Sequence, residues 1–531
     1  MNIWVIFFIV IALIFIYHRF FSSHALISNF SIPAWGRYIF EMFGPPFRQY
    51  WFSNDREEKP FNRKERSYVY QSAKGVNRNQ SFGSDANWES INHFNILQSN
   101  FAHIPKPNVL PTHYLPASKV IGPHRKRPYL PDSIVNISAI SFGSQSDRAT
   151  KIMNMGAALS GAYHNTGEGG YTKYHQLGAQ VVWQIGTGNF GARNPDGTLN
   201  FEKIVEVVNS NPELRMIEIK ISQGAKPGKG GILPAKKVSK EIAEIRGIPF
   251  GEDCISPSVN PSITTNQQLI DVVEEIAKRT GLPVGIKAAI GQMKDWEELF
   301  ELMEKTGKGP DFFQVDGAEG GTGSAPASYA DHMAMPLEQA FARVYKAWII
   351  SGACYKKPMF WMVSGGLATP AKAIKMFAMG ADAICIARPA MFAMGCLQTQ
   401  HCHKNNCPVG IQTNRFWLKM GLKSGYAAKK VARYIETLRQ DILDMTHSAG
   451  YEHPTQFTMN DVEKNSWQSD ARKSLFEIYK YHKQSDNTFV SMEDLRIRHQ
   501  QISELKSPNF IAFSAKESRI SYFWKHIKSL T

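Results

Sequence analysis

Acidic residues are in short supply: the 531 residues hold 46 Asp and Glu against 61 Lys and Arg, a formal net charge of +15. That balance favours anionic partners such as phosphates, acidic proteins or anionic lipid. The basic residues are scattered, and no helix-turn-helix, zinc-finger or RNA-binding signature accompanies them, so no nucleic-acid partner is expected. Cysteine is scarce too, with six residues at 254, 354, 385, 396, 402 and 407. So few, so unevenly placed, do not make a secreted disulfide framework. Three of them crowd one short stretch, which argues for metal or cluster binding in a reducing compartment. No GxGxxG fingerprint follows a strand-like run, which argues against an intrinsic pyridine-nucleotide site.

Charge-free apolar runs are short, with an exception at the N-terminus, where IWVIFFIVIALIFIY covers residues 3–17. It is slightly shorter than the roughly 17–25 residues a spanning helix needs. Phe20 and Phe21 extend it if Arg19 snorkels to the interface. No Lys or Arg precedes the run and no clear small-x-small site closes it, so an uncleaved transmembrane anchor over residues 1–21 is preferred to a signal peptide. Arg19, Arg37 and Arg48 follow it, which predicts a single-pass protein of the cell membrane with its bulk in the cytoplasm. Residues 22–125 are rich in aromatics, charges and prolines without a long period, and are expected to form an irregular, partly helical collar.

From about residue 130 to 390 short β-branched runs recur: IVNISAIS, QVVWQIG, MIEIKIS, PVGIKAAI, DFFQVDG, MFWMVSGG and ADAICIAR; counting AYHNTG as a strand gives eight. Between most of them lie stretches with apolar residues at helical spacing, such as NQQLIDVVEEIAKRTG and WEELFELMEKTG. Repeated strand, glycine-rich loop and helix implies parallel strands with crossover helices, in a barrel or a doubly wound sheet. The runs end in loops full of Gly, Ser, Lys and Glu, as at the C-terminal mouth of a barrel. The fold class assigned is therefore α/β, a (β/α)8 TIM barrel over residues 126–420. Residues 421–531 are expected to form a helical C-terminal extension ending in a basic tail with Arg496, Arg498, Lys516 and Lys525, to which no chemistry is assigned.

The sharpest chemical signal is GCLQTQHCHKNNCPVG, in which Cys396, Cys402 and Cys407 stand at C-x5-C-x4-C spacing with proline after the last. Three thiolates in a tight loop can hold three corners of an iron–sulfur cluster. Zinc, with His401 or His403 as a fourth ligand, is the alternative. Cys254, Cys354 and Cys385 sit in apolar contexts and are read as packing residues.

Five segments, NTGEGG (165–170), IKISQGAKPGKGG (219–231), DGAEGGTGSAP (316–326), SGGLATP (364–370) and CHKNNCPVG (402–410), resemble in order the FMN-binding domain of the glutamate synthases. The resemblance covers roughly residues 130–415, and the anchor and collar are similar to those of the short, membrane-anchored members. It implies FMN and a [3Fe–4S] cluster as cofactors, with Cys396, Cys402 and Cys407 as cluster ligands. Flavin phosphate is expected on backbone N–H groups at the last two strands, at Gly365, Gly366 and Leu367 and at Ala387 and Arg388. Ser141, Phe142 and Gly143, closing the first strand, would pack on the isoalloxazine ring, with Lys287 aimed at its N1 and O2. Glu319, Gly320, Gly321 and Thr322 would line the flavin or the path to the cluster. For the substrate, Gln223 and Lys226 would bind 2-oxoglutarate carboxylates, with Arg246 a further carboxylate candidate and Glu168 the acidic group beside them.

The implied reaction is reduction of 2-iminoglutarate, formed from 2-oxoglutarate and ammonia, to L-glutamate. Electrons would come through the cluster from a donor such as ferredoxin or a reductase subunit. An amidotransferase domain opening on a nucleophilic cysteine is not found, so ammonia is expected from outside. Departures in three segments touch the substrate side: Lys229 replaces a usual Glu and Ile232 a usual Gln, Ala318–Glu319 stand where HD is usual, and SVNPSI follows DCISP where a histidine-bearing loop is usual. They keep open a flavin oxidoreductase acting on another 2-oxo acid or amine. A membrane-tethered electron-transfer subunit is the non-catalytic alternative, against which the retained Gln223, Lys226 and Glu168 weigh.

Overall fold

The seven β-branched runs and AYHNTG mark eight strands: β1 (Val135–Ile137), β2 (His164–Asn165), β3 (Val181–Ile185), β4 (Leu214–Lys220), β5 (Val284–Ala288), β6 (Phe312–Asp316), β7 (Phe360–Ser364) and β8 (Ala383–Ile386). In the computed structural model, which describes residues 2–76, 78–105, 115–465 and 472–484, these eight pair in parallel and close into a barrel in chain order, β8 beside β1. β-branched and aromatic side chains suit strands covered on both faces; every residue of β3, β5, β6, β7 and β8 is buried.

Local chemistry sets the flanking helices. Ser146 caps Asp147–Ser160 by accepting from the Ala149 N–H, and Thr265 caps Asn266–Thr280 by accepting from that of Gln268. Both helices stop at a glycine in the left-handed region, Gly161 and Gly281, as does Lys294–Thr306 at Gly307. The C-terminal extension contains the 25-residue helix Ser424–Ser448. It packs so closely on Asp147–Ser160 that a Cβ on Gly156 would lie 2.7 Å from Val431 Cγ1. Arg496, Arg498, Lys516 and Lys525 lie outside the described residues.

Two features depart from the simple strand-and-helix alternation. Between β4 and β5 the chain inserts an antiparallel hairpin, Ile232–Leu233 against Cys254–Ile255, with the helix Lys240–Arg246 between its arms. Phe94–Ile96, within the expected collar, pairs with Val462–Asn465, which pairs in turn with Arg472–Ser474, giving a small antiparallel sheet. At the N-terminal end of the barrel Asp311, just before β6, receives Arg125 Nε at 2.9 Å and Lys357 Nζ at 2.7 Å, while Arg125 also pairs with Glu274.

The chain divides into two compact units, residues 1–65 and 66–531. The first contains α1 (Ile3–Phe21), α2 (Ala25–Phe30) and α3 (Ile32–Phe47). α1 is long and apolar enough to cross a membrane, and none of its residues is buried.

Candidate functional site

β4 carries an alternation the apolar context obscures: Glu218 and Lys220, two residues apart, share one face of a strand. Asn165 Nδ2 of β2 donates to Glu218 Oε1 at 2.8 Å, and Gln184 Nε2 of β3 at 2.6 Å, which makes that face the barrel interior. Burial drives the Glu218 carboxyl above its ordinary range, although Lys287 and the two amides oppose it.

Lys220, at the C-terminal end of β4, pairs with Glu168 at 2.7 Å and reaches Gln223 Oε1 at 3.3 Å. Burial pushes the Glu168 carboxyl up, but Lys220, with Arg246 and Lys226 behind it, outweighs burial and holds the group below the usual carboxylate range. Lys226 is shifted down, chiefly by burial, with Glu168 opposing and Lys220 and Lys229 adding to the shift. Glu168, Lys220, Gln223, Lys226, Lys229 and Gly231 all line one pocket at the barrel's C-terminal mouth. Lys220, Lys226 and Lys229 against the one carboxylate of Glu168 give the pocket an excess of positive charge, with Lys229 Nζ over the Tyr329 ring.

Of the substrate residues expected from sequence, Glu168, Gln223 and Lys226 meet in this pocket and Arg246 does not line it. The Arg246 guanidinium instead donates to the Phe142 carbonyl at 2.8 Å and to Cys254 Sγ at 3.3 Å, and lies over the Phe190 ring. It is buried because it braces the loop after β1. Ile232 also lies outside the pocket lining, on the exposed side of the hairpin, whereas Lys229 lines it.

The loops read as flavin-binding gather above the barrel. Lys287, ending β5, stands 3.8 Å from Asp316 Oδ2, the oxygen that accepts the Gly224 N–H at 2.9 Å. Asp316 Oδ1 accepts Ser364 Oγ at 2.6 Å, and Gln314 Nε2 donates to Ser138 and Ser364 while its Oε1 is buried without a partner. Gly224 is pressed against the loop after β6, where a Cβ would come within 1.8 Å of the Gly317 carbonyl oxygen. Gly365 and Gly366 after β7 both have positive φ. Among the described residues no hydrogen bond takes the N–H of Gly365, Gly366 or Leu367. Arg388 opens the helix after β8 and donates to the Glu319 carbonyl beside Gly321. The Glu319 carboxylate is engaged elsewhere, accepting the Leu337 N–H at 2.9 Å; Gly320 donates to the Gly317 carbonyl, and Thr322 is exposed.

Cys396, Cys402 and Cys407 are free thiols following β8. Burial, then Cys402 and Cys407, pushes Cys396 up to about 11; Cys402 is also raised, by burial and by Cys407, with Lys237 opposing. Among the described residues no group of three or more His, Cys, Asp or Glu is arranged to hold a single metal ion. Lys237, buried and unmentioned by the motifs, ties this loop to the one after β1: its Nζ donates to the Cys402 carbonyl at 3.3 Å and the Ser144 carbonyl at 3.5 Å. Ser144 Oγ in turn donates to Gln412 Oε1 at 3.1 Å. Cys254, Cys354 and Cys385 are buried in packing positions.

The missed residues, Glu218, Lys220, Gln314 and Asp316, share a legible signal. Polar residues two apart in an apolar strand of a closed barrel point into its interior.

Residues 77–452 match the conserved region in glutamate synthase. The glutamate synthase large subunit-like protein YerD of Bacillus subtilis is 32% identical over 475 residues, covering 83% of this chain and 90% of that protein. The archaeal glutamate synthase [NADPH] of Archaeoglobus fulgidus is 33% identical over 314 residues, 59% of this chain and 58% of that protein. Among solved structures, a mandelate oxidase with benzoyl-formic acid aligns at 14% identity and a TM-score of 0.37 over 67% of this chain and 84% of its own, too weak a likeness to carry an argument.

Proposed function

The chain belongs to the glutamate synthase family, and on that premise we propose that it is an FMN-dependent oxidoreductase that reduces 2-iminoglutarate to L-glutamate. The observation that carries the reading is the convergence of Glu168, Lys220, Gln223 and Lys226 in one pocket at the barrel mouth.

The residues present fit FMN. The unengaged N–H groups of Gly365, Gly366 and Leu367, with the helix start at Arg388, suit a phosphate at the ends of β7 and β8. Ser141–Gly143, Lys287 and the 319–322 loop would flank the ring, and the Gln314 Oε1 is buried without a partner. FMN, when bound, supplies the hydride. Lys226 and Gln223 hold the carboxylates of the 2-oxo acid, and Lys229 adds a cation suited to its second carboxylate. Glu168, kept ionised by Lys220, favours the protonated iminium form of the substrate, the form that accepts hydride readily. Arg246 holds the loop after β1 in place.

The donor set also fits a [3Fe–4S] cluster. Three free thiols share one loop, and beside them Lys237 is a buried cation paired with carbonyls and thiols rather than a carboxylate. Lys237 and Ser144 link that loop to the flavin side, which supports electron entry through Cys396, Cys402 and Cys407. The donor is an acidic redox protein such as ferredoxin or a reductase subunit. Residues 383–435 contain no Asp or Glu but eight Lys and Arg, so the surface that follows the thiols steers an acidic partner. α1 is the membrane span, and the barrel lies on the cytoplasmic side. Another dicarboxylic 2-oxo acid is the second reading, favoured by Lys229.

The test is anaerobic reduction of the purified protein, followed optically and by paramagnetic resonance, before adding 2-oxoglutarate with ammonium. Bound FMN, a three-iron signal and reoxidation with glutamate formed are the expected results. A flavin that stays reduced overturns the substrate assignment, and protein that retains no flavin overturns the reading as a whole.

A further inference from the structure

Within residues 1–65 the helix α3 buries only Ala34 and exposes most of its apolar side chains, Phe40 among them. Trp35, Ile39, Met42 and Phe43 recur at i, i+4, i+7 and i+8, a single helical stripe, and are between 42% and 65% exposed. Arg37 and Glu41, paired at 2.9 Å, and Arg48 lie on the opposite side. In the π-helical turn after it, Arg48–Phe52, Trp51 and Phe52 are likewise 73% and 76% exposed. In water such a surface is costly, because every exposed aromatic forgoes burial.

The foot of α1 locates this stripe. His18 Nδ1 meets Ser31 Oγ at 2.9 Å and its ring stands 5.5 Å from that of Trp35. Ser28 Oγ donates to the Arg19 carbonyl, and Arg19 donates to Asn29 Oδ1. The foot of α1, whose residues are all unburied, therefore meets the stripe of α3 at Trp35. A helix with aromatics on one side and charges on the other, starting where a span leaves the bilayer, is built for the headgroup boundary.

We propose that α3 and the turn after it lie in the membrane interface as a second lipid-contacting element, with Trp35, Ile39, Met42, Phe43, Trp51 and Phe52 facing the acyl chains. The proposal rests on the reading of α1 as a span. The occupant is lipid rather than a second copy of the chain, because the stripe begins, at the His18–Trp35 contact, at the foot of a helix whose length and hydropathy match a bilayer core.

The full chain, reconstituted in phosphatidylcholine–phosphatidylglycerol vesicles, is labelled with a lipid-soluble diazirine and the adducts are mapped by mass spectrometry. The expected result is adduct yield on residues 35–52 several-fold above that on the exposed barrel residues Ile350 and Tyr355, together with adducts on α1. Adducts on α1 alone overturn the proposal and leave the span standing. Adducts on 35–52 without α1 overturn the span and with it the premise of the proposal; adducts on neither overturn both. In M42S/F43S the yield on 35–52 should fall while that on α1 holds, and an unchanged yield there also counts against the proposal.

Discussion

Lys226 owes its lowered pKa first to burial and only then to its neighbours, and that order has a kinetic consequence. An ammonium that clamps a carboxylate is lost as pH rises through its pKa, so the KM for the 2-oxo acid should climb at a pH below the range of a free lysine, about 10.4. Lys226→Arg should move that rise to higher pH, which a KM–pH profile checks. Lys226→Ala should lower kcat/KM by roughly 10- to 100-fold, the scale of a lost charged hydrogen bond, with flavin content unchanged. Glu168 titrates oppositely: held low by Lys220, it stays ionised through mildly acidic pH and sets no acidic limb there. Glu168→Gln should depress turnover more than it alters the KM for the 2-oxo acid, since it removes the charge that favours the iminium.

At the scale of elements, the barrel mouth and its opposite end answer to different forces. At the mouth, Gly224 leaves no room between the loops after β4 and β6, so Gly224→Ala should push them apart and lose flavin without unfolding the barrel, read as FMN content against Tm. At the other end Asp311 is wrapped by His124, Arg125 and Lys357, and against the burial that raises it the His124 hydrogen bond and then the two cations hold its carboxyl well below the usual range. Asp311→Asn leaves a buried ammonium and guanidinium short of their counter-charge, a loss of about 3–5 kcal/mol measurable by urea unfolding. The eight strands were legible because β-branched runs between glycine-rich loops have few other uses. The hairpin at 232–233 and 254–255 was not, because two-residue arms carry no period.

For the whole molecule, acid is the expected weakness. His164 and His175 are fully buried, their rings 5.2 Å apart, and each keeps an Nε2 without a partner. Burial lowers the pKa of both, His175 to about 3, with His175 also repelling a charge on His164. The unfolded chain takes up protons below pH about 6.5 while the folded one does not, so stability falls from there downward, by about 2 kcal/mol per histidine at pH 5. Urea midpoints at pH 7 and pH 5 check this; equal midpoints would refute it. The charge of +15 and the acid-free stretch 383–435 predict that the rate of reduction by an acidic donor falls as salt is added, over the range in which the Debye length shrinks from about 30 to 8 Å.

What the sequence determined alone is what local pattern can carry: strand order, helix caps, the thiol spacing, and the segments that mark the family. Glu168, Gln223 and Lys226 were readable because each sits in a short unbroken segment, 165–170 or 219–231, that marks the family. Only the tertiary structure decided which buried charges meet. The Lys220–Glu168 pair, the Arg246 brace on Phe142, Lys237 between two loops, and Phe94–Ile96 against Val462–Asn465 all join residues far apart in the chain. Such contacts leave no periodicity behind, since a buried ion needs a counter-charge but closure of the barrel chooses which one.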